Sequence, residues 1–108
     1  LDRSFADVTM HVVELLIERG APVNEAKNLY HMSPLHAAAE EGHKEVVELL
    51  MAKGADIEAK ERNGYTPLTQ AGWRQYWDTA GLLMKAGATC QPADLVGDWL
   101  FQECTKRQ

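Results

Sequence analysis

Apolar residues follow helical spacing along this chain, and the pattern returns as a block. The run VVELL occupies positions 12–16 and reappears unchanged at 46–50. A Gly-Ala pair follows each copy, at 20–21 and at 54–55, and another stands at 87–88. An amphipathic run that stops at glycine is typical of a helix closed by a left-handed residue. Self-similarity at this period predicts a solenoid of stacked helical hairpins.

A second recurring motif marks where helices begin. Ser33-Pro34-Leu35-His36 is matched in the next unit by Thr66-Pro67-Leu68-Thr69. The Ser33 hydroxyl can cap a helix whose first residue is Pro34, because the N–H that proline lacks would have no partner there. The pattern predicts one helix over 34–41 and a second over 43–53. Helices this short depend on tertiary packing, so neighbouring units must stack.

The residues of one unit, SPLHAAAEEGHKEVVELLMAKGADIEA, resemble the ankyrin-repeat consensus almost letter for letter. The resemblance implies an all-α solenoid of stacked helix-turn-helix units, about three repeats with β-hairpin finger loops and a C-terminal capping helix. Asn63-Gly64 agrees with a hairpin turn in a finger. We expect a single domain over 1–108, with a truncated first repeat at 1–32, a second repeat at 33–65, a third at 66–94 and the cap at 95–108.

The third unit and the region after it depart from the pattern. Gly72 and Gly81 lie inside predicted helices, where each should cost roughly 0.5–1 kcal/mol relative to alanine. No further Thr-Pro follows, and Asp98 can N-cap a last helix. We expect the apolar residues of that helix to cover the end of the stack; they are Trp99, Leu100, Phe101 and Cys104. At the other end, either a longer protein continues upstream of Leu1 or residues 1–7 form a half-repeat cap.

Composition narrows the classes of partner. A net charge of −5 over 108 residues opposes nonspecific binding to nucleic acid or to an anionic membrane. A hydrophobic content of 45% excludes disorder, and no apolar run is long enough to span a bilayer. Two cysteines do not make a disulfide framework, which favours a cytoplasmic location. We expect a monomer.

The sequence contains few residues that could act in catalysis or bind a metal. The resemblance implies that His36 bonds to loop backbone between adjacent units. The chain has no Cys-x-x-Cys or His-Glu-x-x-His pattern for a metal, no glycine-rich phosphate loop and no nucleophile elbow. We therefore expect no enzymatic activity, no cofactor and no metal site. Cys90 and Cys104 are expected to be small buried thiols in the cap, with a disulfide or a redox role as the alternative.

The positions that the consensus leaves free indicate where a partner binds. Ankyrin proteins usually bind partners along a concave face made by the fingers and the first helices. The corresponding positions here are Met32, Glu40, Glu41, Lys60, Arg62, Asn63, Tyr65, Trp73 and Arg74. Tyrosine, tryptophan and arginine are enriched in binding hot spots. The positive charges beside Tyr65 and Trp73 suit an acidic peptide with an apolar anchor, which Glu40 and Glu41 would orient by repulsion.

A competing interpretation places Trp73, Tyr76 and Trp77 against the cap near Trp99. The binding surface would then lie on the first finger, at Leu29, Tyr30 and Met32. For the whole chain we predict a protein–protein interaction module that works as a scaffold. Two rivals remain: the C-terminal targeting or regulatory segment of a longer enzyme or regulator, and a thiol-based redox sensor that uses Cys90 and Cys104.

Overall fold

The computed structural model describes residues 15, 18–20, 23–24 and 31–108. Within these residues it contains six helices and no strand, which confirms the predicted all-α class. The helices are α1 (Pro34–Glu40), α2 (Lys44–Ala52), α3 (Pro67–Trp73), α4 (Trp77–Lys85), α5 (Ala93–Val96) and α6 (Asp98–Arg107). The predicted N-terminal half-repeat, Leu29 and Tyr30 lie outside the described residues. The repeat boundaries stay a prediction.

Two helical hairpins stack side by side. Helix α1 packs on α2 within one hairpin and α3 packs on α4 within the next, while α1 also contacts α3 and α2 contacts α4. The buried core between them consists mainly of Leu35, Ala38, Ala39, Val46, Val47, Leu50, Leu68, Ala71, Ala80 and Leu83. Alanines on α1 and α3 let the helices of successive units approach closely. The core therefore lies between the two helices of each hairpin and between successive units.

The helix ends follow the predicted chemistry. Ser33 Oγ accepts a hydrogen bond from the His36 N–H at 3.3 Å, and Thr66 Oγ1 accepts one from the Thr69 N–H at 3.5 Å. Helix α2 stops just before Gly54, whose φ of +90° is one that other residues rarely adopt. The Ser-Pro and Thr-Pro motifs therefore start helices as expected.

His36 joins the two hairpins from a buried position. Its Nδ1 accepts from the Ser33 N–H at 3.2 Å, and its Nε2 lies 2.8 Å from the carbonyl oxygen of Tyr65. A carbonyl oxygen can only accept, so Nε2 carries the hydrogen and the ring is neutral. Burial lowers the pKa of His36 from its ordinary value of 6.5, although the Tyr65 carbonyl opposes this shift. The imidazole thus holds the loop before α3 against the second unit, as the resemblance implied.

Gln91 makes the corresponding connection for the third unit, where Thr69 replaces the histidine. Its Oε1 accepts from the Thr66 N–H at 3.0 Å and from Thr69 Oγ1 at 2.6 Å. Its Nε2 donates to the Gly64 carbonyl oxygen at 2.7 Å. The side chain of Gln91, in the segment after α4, therefore supports the loop before α3.

The loop before α3 forms a single turn instead of the predicted hairpin with paired strands. The Glu61 N–H donates to the Tyr65 carbonyl oxygen at 3.0 Å, and the Gly64 N–H donates to the Glu61 carbonyl oxygen at 2.8 Å. We call residues 60–65 the finger loop. Its two hydrogen bonds close a single turn around Asn63 and Gly64, so the Asn-Gly signal marks a turn without extended ladders on either side.

The C-terminal helix α6 packs on α3 and covers the end of the stack. Leu100 and Cys104, four residues apart on one face, are its buried residues, and Phe101 is half-buried. The expectation for Trp99 was wrong, because this residue stands beside that face and is 51% exposed. Asp98 does not cap the helix: it belongs to the first turn, and Gly97 takes the cap position without a side-chain bond.

Gly72 leaves space for the side chain of Leu100, an effect that helix propensity does not include. A Cβ at this position would lie 2.7 Å from Cδ1 of Leu100, whereas a Cβ on Gly81 would meet no heavy atom within 4 Å. The expected penalty at Gly72 therefore omitted a contact that alanine would disturb. At Gly81 no such contact exists, and the expectation of a simple propensity cost stays a prediction.

These two glycines predict opposite effects of the same substitution. Gly81→Ala should raise the free energy of unfolding by about 0.5–1 kcal/mol, because alanine favours the helix. Gly72→Ala should lower it by about 1–3 kcal/mol, since buried Leu100 must move. Urea unfolding curves would measure both, with each variant as the other's control. Stabilisation by Gly72→Ala would show that Leu100 relocates without cost.

The buried His36 predicts a loss of stability in acid. Because its pKa is lowered only in the folded chain, the unfolded chain binds the proton first. The stabilisation is complete above the unfolded pKa of about 6.5 and falls as the pH drops from there towards the folded pKa, by at most about 1.4 kcal/mol per pH unit. Urea midpoints at pH 7.5 and 5.5 would measure it. His36→Gln should be less stable and less sensitive to pH; equal pH slopes in both proteins would contradict this role.

Candidate partner-binding surface

Two aromatic rings form the centre of the candidate site. Tyr65, at the end of the finger loop, and Trp73, at the end of α3, lie with ring centroids 4.3 Å apart and planes at 77°. The rings meet edge to face, an orientation that aromatic pairs favour. Trp73 nevertheless remains 37% exposed. The pair is therefore held in place and still presents apolar surface to solvent.

The competing interpretation of Trp73 is wrong, because its ring partner is Tyr65. Trp77 is the residue that reaches the cap, with its ring centroid 6.5 Å from that of Trp99 and the Arg107 guanidinium 4.3 Å above it. Tyr76 lies against Gly42 of the neighbouring unit. The three aromatics near the end of α3 thus have three different environments.

Arg74 and Glu40 flank the aromatic pair as an ion pair between units. Arg74 donates from Nη2 to Glu40 Oε1 at 2.9 Å. Both side chains keep solvent contact, with 54% of Arg74 and 29% of Glu40 exposed, so the pair adds little stability. The expectation that Arg74 attracts and Glu40 repels a partner must account for this partial neutralisation. We call Glu40, Tyr65, Trp73 and Arg74 the Trp73 surface.

Buried Glu61 holds the finger loop from inside. Its carboxylate accepts from the backbone N–H of Asn63 at 2.5 Å, from that of Tyr65 at 3.1 Å and from Asn63 Nδ2 at 3.4 Å. The Asn63 side chain is thus partly engaged within the loop. Lys60 and Arg62 are exposed, and neither forms an ion pair within the described part of the chain.

The remaining predicted positions lie at the ends of α1. Met32 is half-buried just before the Ser33 cap, and Glu41 is exposed as the C-cap residue. Two contacts, Tyr65–Trp73 and Glu40–Arg74, together with the adjacency of Trp73 and Arg74 define the Trp73 surface, and three more predicted residues lie in the adjoining finger loop. Whether these residues bind a partner stays a prediction.

Sequence reasoning missed Glu61 and Gln91, which support the finger loop. A usable signal existed for Gln91. Threonine at position 69 is too short to replace the imidazole of His36, so the polar groups near the third unit needed another partner. A glutamine just after the third Gly-Ala pair stands where it could supply one.

The expectation of free buried thiols was also wrong. Cys90 and Cys104 form a disulfide with Cα atoms 5.9 Å apart. Across the described ranges, no three metal-ligating side chains come together, and none of the helices is long and apolar enough to cross a membrane.

Comparison with known proteins finds a match over residues 6–94 to the family model described as ankyrin repeats (3 copies). The 2-5A-dependent ribonuclease of Mus musculus is 38% identical over 60 residues, which are 56% of this chain and 8% of the ribonuclease. The transient receptor potential channel A1 of Drosophila melanogaster is 40% identical over 63 residues, which are 58% and 5% of the two chains. The probable E3 ubiquitin-protein ligase XBOS32 of Oryza sativa is 39% identical over 62 residues, which are 57% of this chain and 12% of the ligase.

These relatives are much longer proteins, and the aligned region spans only 5–12% of their lengths. The family match is broader for this chain, because it covers most of the sequence. It includes both described helical hairpins and the loop that carries Tyr65. With that coverage and this architecture, the chain belongs to the ankyrin-repeat family.

Proposed function

We propose that this chain is a non-catalytic protein-binding domain that holds its partner on the Trp73 surface and the exposed side of the finger loop. The observation that carries the proposal is the Tyr65–Trp73 pair, which is fixed by its own contact and still partly exposed. Ankyrin repeats in general mediate protein–protein interactions, so the family supports the class of function. A surface already ordered before binding loses little conformational entropy when a partner arrives.

The charge around the aromatic pair favours an acidic partner segment with one apolar side chain. Lys60 and Arg62 are exposed cations on a chain of net charge −5. A partner carboxylate could bind them, or it could replace Glu40 on Arg74, while the apolar side chain contacts Trp73. Steering by the finger loop would act mainly on the association rate.

A second proposal concerns the protein in which this domain works. The relatives named above include a ribonuclease, a cation channel and a probable ubiquitin ligase, each far longer than the matched region. This supports a role as the recognition segment of a larger enzyme or regulator. Sequencing the transcript on both sides of the region would test it, and a reading frame limited to these residues would contradict it.

Location and assembly are part of the proposal. We propose a monomer, without nucleic acid or membrane among its partners, in the cytoplasm. The disulfide does not exclude that compartment, because cytosolic disulfides are usually transient and responsive to redox conditions. Fractionation of the native source and sedimentation of the purified chain would test location and assembly.

Trp73→Ala should weaken partner binding without unfolding the domain. The loss should be about 2 kcal/mol or more, which is roughly a 30-fold higher Kd, because a central aromatic anchor is removed. The partner would be captured from native lysate by the wild type, purified and titrated calorimetrically. Trp99→Ala is the matched control, since it removes a more exposed tryptophan from the cap. Unfolding by Trp73→Ala, with unchanged affinity of the folded fraction, would assign the residue to stability.

Arg62→Glu should mainly slow association, and the effect should shrink as salt is added. Lys53→Glu makes the same charge change at the exposed end of α2 and should have a smaller effect. Stopped-flow binding at low and high salt would measure both. Equal slowing by the two variants would show that only net charge matters.

A further inference from the structure

We infer that the Cys90–Cys104 disulfide is a redox control on the finger loop, and that its reduction frees α6 and loosens the loop that carries Tyr65. The inference depends on the proposed function only for its effect on binding. Its structural content is that one covalent bond joins the capping helix to the segment that supports the finger loop.

One end of this disulfide lies in the cap. Cys104 is 5% exposed, and with Leu100 it forms the buried face of α6. Together with Leu68, Trp77 and Val96, these two residues line a small apolar cavity at the end of the stack. Helix α6 buries only Leu100 and Cys104 fully, and its exposed residues Trp99 and Arg107 contact Trp77. The disulfide adds a covalent bond to these contacts.

The other end lies between two residues that bond to the preceding loop. Thr89 donates to the Glu58 carboxylate, from its N–H at 3.3 Å and from Oγ1 at 2.7 Å. Gln91 Oε1 accepts a hydrogen bond from the Thr66 N–H, and Gln91 Nε2 donates one to the Gly64 carbonyl oxygen. Cys90 therefore sits in the middle of the segment on which the base of the finger loop rests.

The side chain of Gln91 also lines the small cavity beside Cys104. A displacement of α6 would therefore remove packing from the same side chain that holds Gly64 and Thr66. Tyr65 stands between those two residues, and its ring is the one that contacts Trp73. This gives a continuous path of contacts from the disulfide to the Trp73 surface.

The reductant is a dithiol. A thiolate attacks Sγ of Cys90, the more exposed of the two cysteines, and the S–S bond breaks to release the Cys104 thiolate, which takes up a proton. The second thiol of the reductant then attacks the mixed disulfide and releases Cys90. The chain gains two thiols, and the dithiol leaves as a disulfide.

The test begins with the oxidised wild type. Thiol titration of the unreduced, denatured chain should find no free thiol, and two free thiols would overturn the inference. Amide exchange followed by NMR should then be compared with and without dithiothreitol. Reduction should speed exchange in α6 by about 100-fold, as expected when a short closed loop is released. It should speed exchange of the Thr66 N–H by about tenfold, the loss of roughly one hydrogen bond.

Two variants separate the steps. Cys90→Ser combined with Cys104→Ser should behave like the reduced wild type and ignore dithiothreitol. Gln91→Ala should already show fast exchange at Thr66, with no further response to dithiothreitol, while α6 still responds. If Thr66 continued to respond in Gln91→Ala, the path through Gln91 would be disproved. If only α6 responded in the wild type, coupling to the finger loop would be disproved.

These exchange measurements need no partner, so they distinguish two failures. If reduction of the wild type did not change amide exchange at Thr66, the redox inference would be overturned, whatever the domain binds. An intact response, combined with normal partner affinity in Trp73→Ala, would contradict the proposed binding surface alone.

Discussion

The bond between the His36 imidazole and the Tyr65 carbonyl oxygen is the contact on which the rest of the structure depends. Helices this short depend on packing against a neighbouring unit, and this bond adds a directional contact between the hairpins to that packing. The same bond places the backbone of Tyr65. Its side chain therefore reaches Trp73 because the stack itself is correctly spaced, and recognition and stability share one anchor.

In the third unit a different residue makes the connection to the neighbouring loop. Thr69 can help to cap its own helix but cannot reach across to another loop, and Gln91 reaches back in its place. An amide side chain has a donor and an acceptor at one end, so it can serve a carbonyl oxygen and an N–H together. The finger loop is thus supported from both sides, by His36 on one and Gln91 on the other.

Much of the helix layout could be predicted from the sequence because its signals are local. Capping residues and helix-ending glycines act within one turn, and the period of the VVELL repeat specifies which positions stack. That period also separates Glu40 from Arg74, so their ion pair was accessible to the same reasoning. The Tyr65–Trp73 contact could not be predicted in this way, because it depends on the path of the finger loop, which determines whether Tyr65 points back to α3.

The disulfide lay beyond such reasoning for a related reason. Cys104 belongs to the cap, which has no equivalent in the repeat, so no register relates it to Cys90. The position of Trp99 depends on the rotation of α6, which turns Leu100 and Cys104 towards the stack. Local signals placed the helix and its buried residues Leu100 and Cys104, but not the exposure of Trp99.

The contact between Leu100 and Gly72 bears on how ankyrin arrays can be engineered. In the preceding unit the equivalent position is Ala39, whose side chain would occupy the space that Leu100 takes here. A cap of this kind therefore fits best on a repeat that carries glycine at this position. Fusing residues 90–107 to another array would keep the Cys90–Cys104 bond, and exchanging alanine for glycine in the last repeat would remove the clash with Leu100.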